Sequence, residues 1–102
     1  MDPRRDRGST HLSDEAPALS VVIPVYNEGE NVVPTLRGVV EKAHARPLEV
    51  LVVHDFDEDT TVPVIQRLQT ELPEVRLHRN TLGRGALNAM KSGLRTARAP
   101  YV

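Results

Sequence analysis

The chain has no cysteine. That absence removes a disulfide framework, a thiolate nucleophile and any cysteine-based zinc site, and leaves nothing that points to an oxidising compartment. Long apolar runs are missing too. A membrane helix needs about 20 consecutive apolar residues, and the segment LSVVIPVY, Leu19 to Tyr26, falls far short of that. Asp14 and Glu15 precede this segment, so it does not have the make-up of a signal peptide either. The expectation is a cytoplasmic chain, with membrane association only through segments outside this sequence. A third scarcity is net charge. A formal value of −1 does not provide the basic face of a general nucleic-acid binder, so no nucleic-acid partner is expected.

What is present is enough for one small domain. With 102 residues and 39% hydrophobic content, such a chain buries roughly 60–65% of its unfolded surface, which supports a single core. Residues 1–17, MDPRRDRGSTHLSDEAP, are polar and carry no apolar period. They read as a disordered lead whose Arg4, Arg5 and Arg7 offer no more than contact with an acidic partner. The folded domain is expected over 18–102.

From Leu19 onward the pattern alternates. Leu19 to Val25 is a β-branched apolar run of the kind found in buried strands. Val32, Leu36, Val39, Val40 and Ala43 recur at helical spacing, with Asn31 as N-cap and Pro34 in the first turn. Leu48 to Val53 predicts a second buried strand, and Thr60 or Thr61 caps a helix striped by Val62, Ile65, Leu68 and Leu72. Val75 to His78 predicts a third strand. Ala86, Leu87, Met90, Leu94 and Ala97 stripe a third helix. Tyr101 and Val102 read as the opening of a fourth strand, which leaves the expected sheet truncated there, with an open edge for self-association. Parallel neighbours need crossover connections. The expected fold is therefore α/β, a Rossmann-like parallel sheet with crossover helices.

In such sheets ligands bind outside the carboxyl ends of the strands. That rule brings together PVYNEGE, HDFDEDTT and RNTLGRG. One loop is polar and aromatic, one is acidic, and one carries arginine between glycines. A nucleotide suits this set, because a base wants stacking and edge hydrogen bonds while a diphosphate wants cations and N–H groups.

Three other motifs fail at positions their chemistry requires. Asp55, Asp57 and Asp59 fit the first ligand positions of a calcium loop, but its glycine and final glutamate positions hold Thr60 and Gln66. GALNAMKS has Met90 where a phosphate loop needs its second glycine. GRGALN has Asn88 at the last glycine of a dinucleotide fingerprint and follows the third strand rather than the first.

The stretches LSVVIPVYNEGENVVPTLRGVV, LEVLVVHDFDEDTT and LGRGALNAMKSGLRTARAPYV, in this order, resemble the amino-terminal half of family-two glycosyltransferases of GT-A fold. Among them the chain looks most like the dolichol-phosphate or polyprenyl-phosphate mannosyltransferase subgroup. VVIPVYNE is the most specific part. The resemblance implies a nucleoside-diphosphate-sugar donor, a divalent cation (Mg or Mn) in the full-length enzyme, and transfer of a hexosyl group to an acceptor such as a lipid phosphate. It also implies donor-binding roles for Pro24, Tyr26 and Glu28, which match the family's first loop. Asp55 matches the second aspartate of the usual Asp-Asp-Gly-Ser stretch, which accepts a hydrogen bond from the base. His54 and Phe56 depart from that stretch. From its place between Gly83 and Gly85 at a helix start, Arg84 is expected to reach a diphosphate, with a solvated surface arginine as the alternative. Asp59 is expected to meet the positive end of the next helix, with Asp57 and Glu58 mostly solvated.

The family's metal-binding Asp-x-Asp follows the fourth strand, so no metal ligand and no catalytic residue is assigned here. The chain alone is expected to be inactive. A non-catalytic nucleotide-binding or receiver-like signalling module on the same sheet remains the alternative. Receiver domains, however, place acids at the first strand, where this chain has PVYNEGE.

Overall fold

The computed structural model describes residues 16–102. Every residue of the central strand is buried, and this follows from its position. β2 (Leu48–His54) lies between β1 (Leu19–Pro24) and β3 (Val75–Arg79) in a three-stranded sheet of order β1-β2-β3. Both pairings are parallel, with Leu19 opposite Leu48, Val22 opposite Leu51, and Val53 opposite His78. A short 3-10 turn at Gly29–Asn31 leads into α1 (Val32–Lys42); α2 (Thr61–Leu68) joins β2 to β3, and α3 (Ala86–Thr96) follows β3.

Side chains alternate across a strand, and β2 divides its apolar residues accordingly. Val50 and Val52 join Val32, Leu36, Val64, Ile65 and Leu68 in the core under α1 and α2. Leu51 and Val53 face the other way, onto Ala89 of α3, with Val22 and Ala97 beside them. The chain therefore changes face after β3. It then returns to the free edge of β1, where Ser20 N–H donates to the Tyr101 carbonyl at 2.9 Å. A return of this kind past the first strand creates the crevice outside the carboxyl ends in doubly wound sheets. Residues 101 and 102 run beside β1 without forming a regular strand.

The expected stripe on α3 is corrected by the structure. Leu87, Met90 and Leu94 are exposed (68%, 43% and 52%), and the helix seats instead on Ala89, Ser92 and Gly93. Close approach explains the choice. A Cβ on Gly93 would run into Val22 Cγ1 and lie 3.1 Å from Val53 Cγ2, so only a small-residue face lets the helix axis come this near the strands. Ser92 Oγ also meets His78 Nε2 at 2.8 Å, with Thr96 Oγ1 at 3.1 Å. Burial, together with the charges of His54 and Arg76, holds His78 below the ordinary imidazole value.

The predicted caps differ in one respect. Asn31 and Thr60 occupy the cap positions but make no side-chain cap bond. For α2 the work is done by Asp59, whose Oδ1 accepts the Thr61 N–H at 2.7 Å. Of the expected lead, residues 1–15 lie outside the described residues. Pro17 is already buried, and Ala18 N–H donates to the Pro47 carbonyl, so packing begins slightly ahead of residue 18.

At the amino ends of the strands, Glu49 is buried inside β2 and is satisfied from several sides. Its carboxylate takes Ser20 Oγ–H at 2.7 Å, Arg76 Nη1 at 2.8 Å, Arg98 Nε at 2.9 Å and the Arg98 backbone N–H at 3.0 Å. Burial alone would raise its pKa, but hydrogen bonds from Ser20 and Arg98 outweigh that and hold the carboxyl below its usual range. The ion cluster fastens the segment after α3 to β1 and β2. Among the described residues no helix is long and apolar enough to cross a membrane.

Candidate functional site

The three loops leaving the carboxyl ends of β1, β2 and β3 are tied to one another by side chains from the middle loop. Between the first and second loops the tie is reciprocal. Asn27, in the left-handed region with φ 47°, donates its N–H to Asp59 Oδ2 at 3.0 Å and accepts the Thr60 N–H on Oδ1 at 3.0 Å. Glu28 N–H donates to Thr61 Oγ1 at 2.9 Å. Asp59 is completely buried. Burial alone would raise its carboxyl pKa, but the Asn27 N–H, the Thr61 hydroxyl and N–H, and the His54 ring together lower it. As an acceptor for N–H groups at the start of α2, Asp59 also complements the helix dipole.

Between the second and third loops, Asp55 makes the connection. Its Oδ1 accepts from Asn80 Nδ2 at 2.8 Å and its Oδ2 from the Gly85 N–H at 3.0 Å. Asn80, nearly buried, also donates to the Gly83 carbonyl at 2.6 Å and accepts the Leu82 N–H at 2.9 Å. These bonds hold a turn in which Gly83 (φ 103°) and Gly85 (φ 116°) take backbone angles open to glycine and costly for other residues. Arg84 projects from between them. Its guanidinium carbon lies 5.3 Å from the centroid of the Phe56 ring. On the same ring, Tyr26 packs edge-on at 5.9 Å with an interplanar angle of 64°.

The structure thus joins Tyr26, Asp55 and Arg84, predicted from separate loops, through Phe56 and Asn80. Tyr26 is 66% exposed and free to offer a ring face. Pro24 ends β1 opposite Val53, where it shapes the exit of the first loop. Glu28 enters through its backbone N–H, and its side chain is exposed. Asp57 and Glu58 are exposed, with Arg79 Nη1 at 3.6 Å from Asp57. His54 is buried, and its Nδ1 lies 3.0 Å from the Phe56 carbonyl oxygen.

In the sequence Phe56 stands out only as a departure from the family's stretch, and Asn80 only as part of the RNTLGRG loop. An asparagine followed within a few residues by Gly-Arg-Gly is a turn-forming signal, and that signal was available for Asn80. No comparable signal marked Phe56.

The acids at 55–59 do not fit a divalent cation. Asp55 accepts from Asn80 and Gly85 while Asp59 accepts from Asn27 and Thr61, so the two carboxylates are tied to different loops, and among the described residues no group of three or more His, Cys, Asp or Glu is placed to hold a metal. The arrangement offers instead an exposed ring, a carboxylate acceptor with lone pairs left over and a guanidinium at the start of a helix.

Known proteins share the family pattern and the fold of this chain. Residues 20–102 match the family model described as glycosyl transferase family 2. Glycosyltransferase AglE of Haloferax volcanii is 29% identical over 84 residues, covering 81% of this chain and 28% of AglE. Among solved structures, the mannosyltransferase PcManGT from Pyrobaculum calidifontis, in complex with GDP-Man and Mn2+, aligns with a TM-score of 0.68 and 30% identity over 81% of this chain and 25% of that one. The chain spans about a quarter of the length of these relatives.

Proposed function

The chain belongs to glycosyl transferase family 2, and from that premise we propose that its three loops hold the nucleoside-diphosphate end of an activated-sugar donor. The observation that carries this reading is the set Tyr26, Phe56 and Arg84, drawn from three different loops and in ring contact at the carboxyl end of the sheet. Tyr26 offers a ring face to the base. Asp55 accepts an N–H from the base edge; an ionised carboxylate has about four acceptor sites, and Asn80 and Gly85 occupy two of them. Arg84, a rigid fork of donors, pairs with the diphosphate at the amino end of α3, where the helix dipole favours an anion.

The whole enzyme then transfers a hexosyl group, with a polyprenyl phosphate as the acceptor class, as in the dolichol-phosphate mannosyltransferase-like subgroup that the sequence resembles. That PcManGT was solved with GDP-Man supports a nucleotide-sugar donor. A divalent cation accompanies the donor in that relative and would help neutralise a leaving diphosphate. Residues 55–59 do not supply its ligands. A receiver-like signalling module is disfavoured by the family match and by the engagement of Asp55 and Asp59 in loop contacts. The test is titration of the chain with GDP and with UDP. Saturable binding of at least one is expected, and no binding of either at millimolar concentration would overturn the reading.

A further inference from the structure

We propose that Phe56 is the positioning residue for Arg84, holding the guanidinium ready for the donor's phosphates before the donor arrives. The inference rests on the donor-binding reading above. The backbone on both sides of Arg84 is fixed: Asn80 Nδ2 holds the Gly83 carbonyl and Asp55 Oδ2 holds the Gly85 N–H. What remains free is the side chain, and a long arginine gives up rotamer freedom when it engages a ligand. The Phe56 ring restrains it, with the guanidinium carbon 5.3 Å from the ring centroid, inside the range of cation–π attraction.

Phe56 is itself anchored. Its carbonyl oxygen lies 3.0 Å from His54 Nδ1 and accepts the Asp59 N–H at 3.3 Å, and Tyr26 buttresses the ring from the side. A cation–π contact uses the charge of the guanidinium and not a hydrogen-bond acceptor, so N–H groups turned away from the ring stay available for a phosphate. Holding and binding are therefore compatible, and the ring lowers the ordering cost of each phosphate contact.

The experiment is a double-mutant cycle read by titration with GDP and, separately, with guanosine, or with UDP and uridine where UDP is the diphosphate bound. Phe56→Leu keeps an apolar side chain but loses the π face, and is expected to weaken GDP binding about threefold to fivefold while guanosine binding changes by less than about twofold. In the Arg84→Ala background, Phe56→Leu is expected to cost nothing further for GDP. Phe56→Tyr restores a ring and is expected to restore GDP affinity, which separates loss of the π face from loss of folding; thermal melts of all variants accompany the titrations. Equal weakening of GDP and guanosine, or the same loss from Phe56→Leu with and without Arg84, would overturn the positioning role while leaving the donor site standing. Failure of the unsubstituted chain to bind GDP or UDP would remove the donor site and this role together.

Discussion

Gly93→Ala and Gly38→Ala place the same methyl group in two helices, and the structure predicts opposite signs for them. In α1, Gly38 has nothing within 4 Å of where a Cβ would sit. Alanine there gains helix propensity of about 0.8–1.0 kcal/mol over glycine, with no steric charge against it. In α3, the Cβ added at Gly93 collides with Val22 Cγ1 and lies 3.1 Å from Val53 Cγ2 and 3.3 Å from Val22 Cγ2. Valine is stiff at χ1 and Val53 is fully buried, so neither neighbour can turn aside. Overpacking of this kind costs about 1–3 kcal/mol. With both contacts tight, the upper part of that range applies, and after subtracting the propensity gain the net loss is about 2 kcal/mol. For a domain of this size about 1 kcal/mol shifts the melting midpoint by roughly 4–8 °C. Gly93→Ala should therefore melt roughly 8–16 °C lower and Gly38→Ala several degrees higher, measured by circular dichroism and checked by urea midpoints. A stabilised Gly93→Ala would refute the close seating of α3 on β1 and β2.

Acidification should destabilise the chain in two stages. His78 is held below the ordinary value of 6.5, so its contribution is complete above that pH and is lost as pH falls below it. Glu49 and Asp59 are depressed from 4.5 and 3.8, so theirs is present above those values and is lost as pH falls toward the folded-state values. Urea midpoints from pH 8 to strongly acid conditions read both stages; Glu49→Gln should cost about 1.5–3 kcal/mol at neutral pH and flatten the lower stage, and a chain more stable at pH 4 than at pH 7 would contradict the assignment. At the donor site, Asp55→Ala removes both the base acceptor and the tie to Asn80 and Gly85, so GDP affinity should fall on the order of tenfold to a hundredfold, with Asp55→Asn intermediate. Asp57→Ala should change it far less, because an exposed charge is screened; equal losses at the two positions would remove the base contact.

The layers of this fold were legible because the first two strands are apolar runs rich in valine and isoleucine and because α1 and α2 show their period. Val50 and Val52 against Leu51 and Val53 are sorted by alternation alone. The seating of α3 was not legible. Periodicity marks the large apolar residues Leu87, Met90 and Leu94, whereas contact distance selects Ala89, Ser92 and Gly93, and distance is a property of the assembled sheet. Pattern also misses Glu49, because a carboxylate inside an apolar strand is recognised only when Ser20, Arg76 and Arg98 arrive from elsewhere in the chain. At the site, the family resemblance nominated Tyr26 and Asp55, and an arginine set between two glycines nominated Arg84. The links through Asn80 and Phe56 depend on loop geometry, which spacing does not encode.

The central claim is that the carboxyl end of this sheet is a nucleoside-diphosphate site, and the most direct test is a titration with GDP followed amide by amide in 15N-resolved spectra. Saturable shifts are predicted at residues 25–28, 54–59 and 80–86, with the Ser20, Glu49 and Arg76 end of the strands unmoved. Saturable shifts confined to that opposite end, or no saturable shifts with either GDP or UDP, would contradict it.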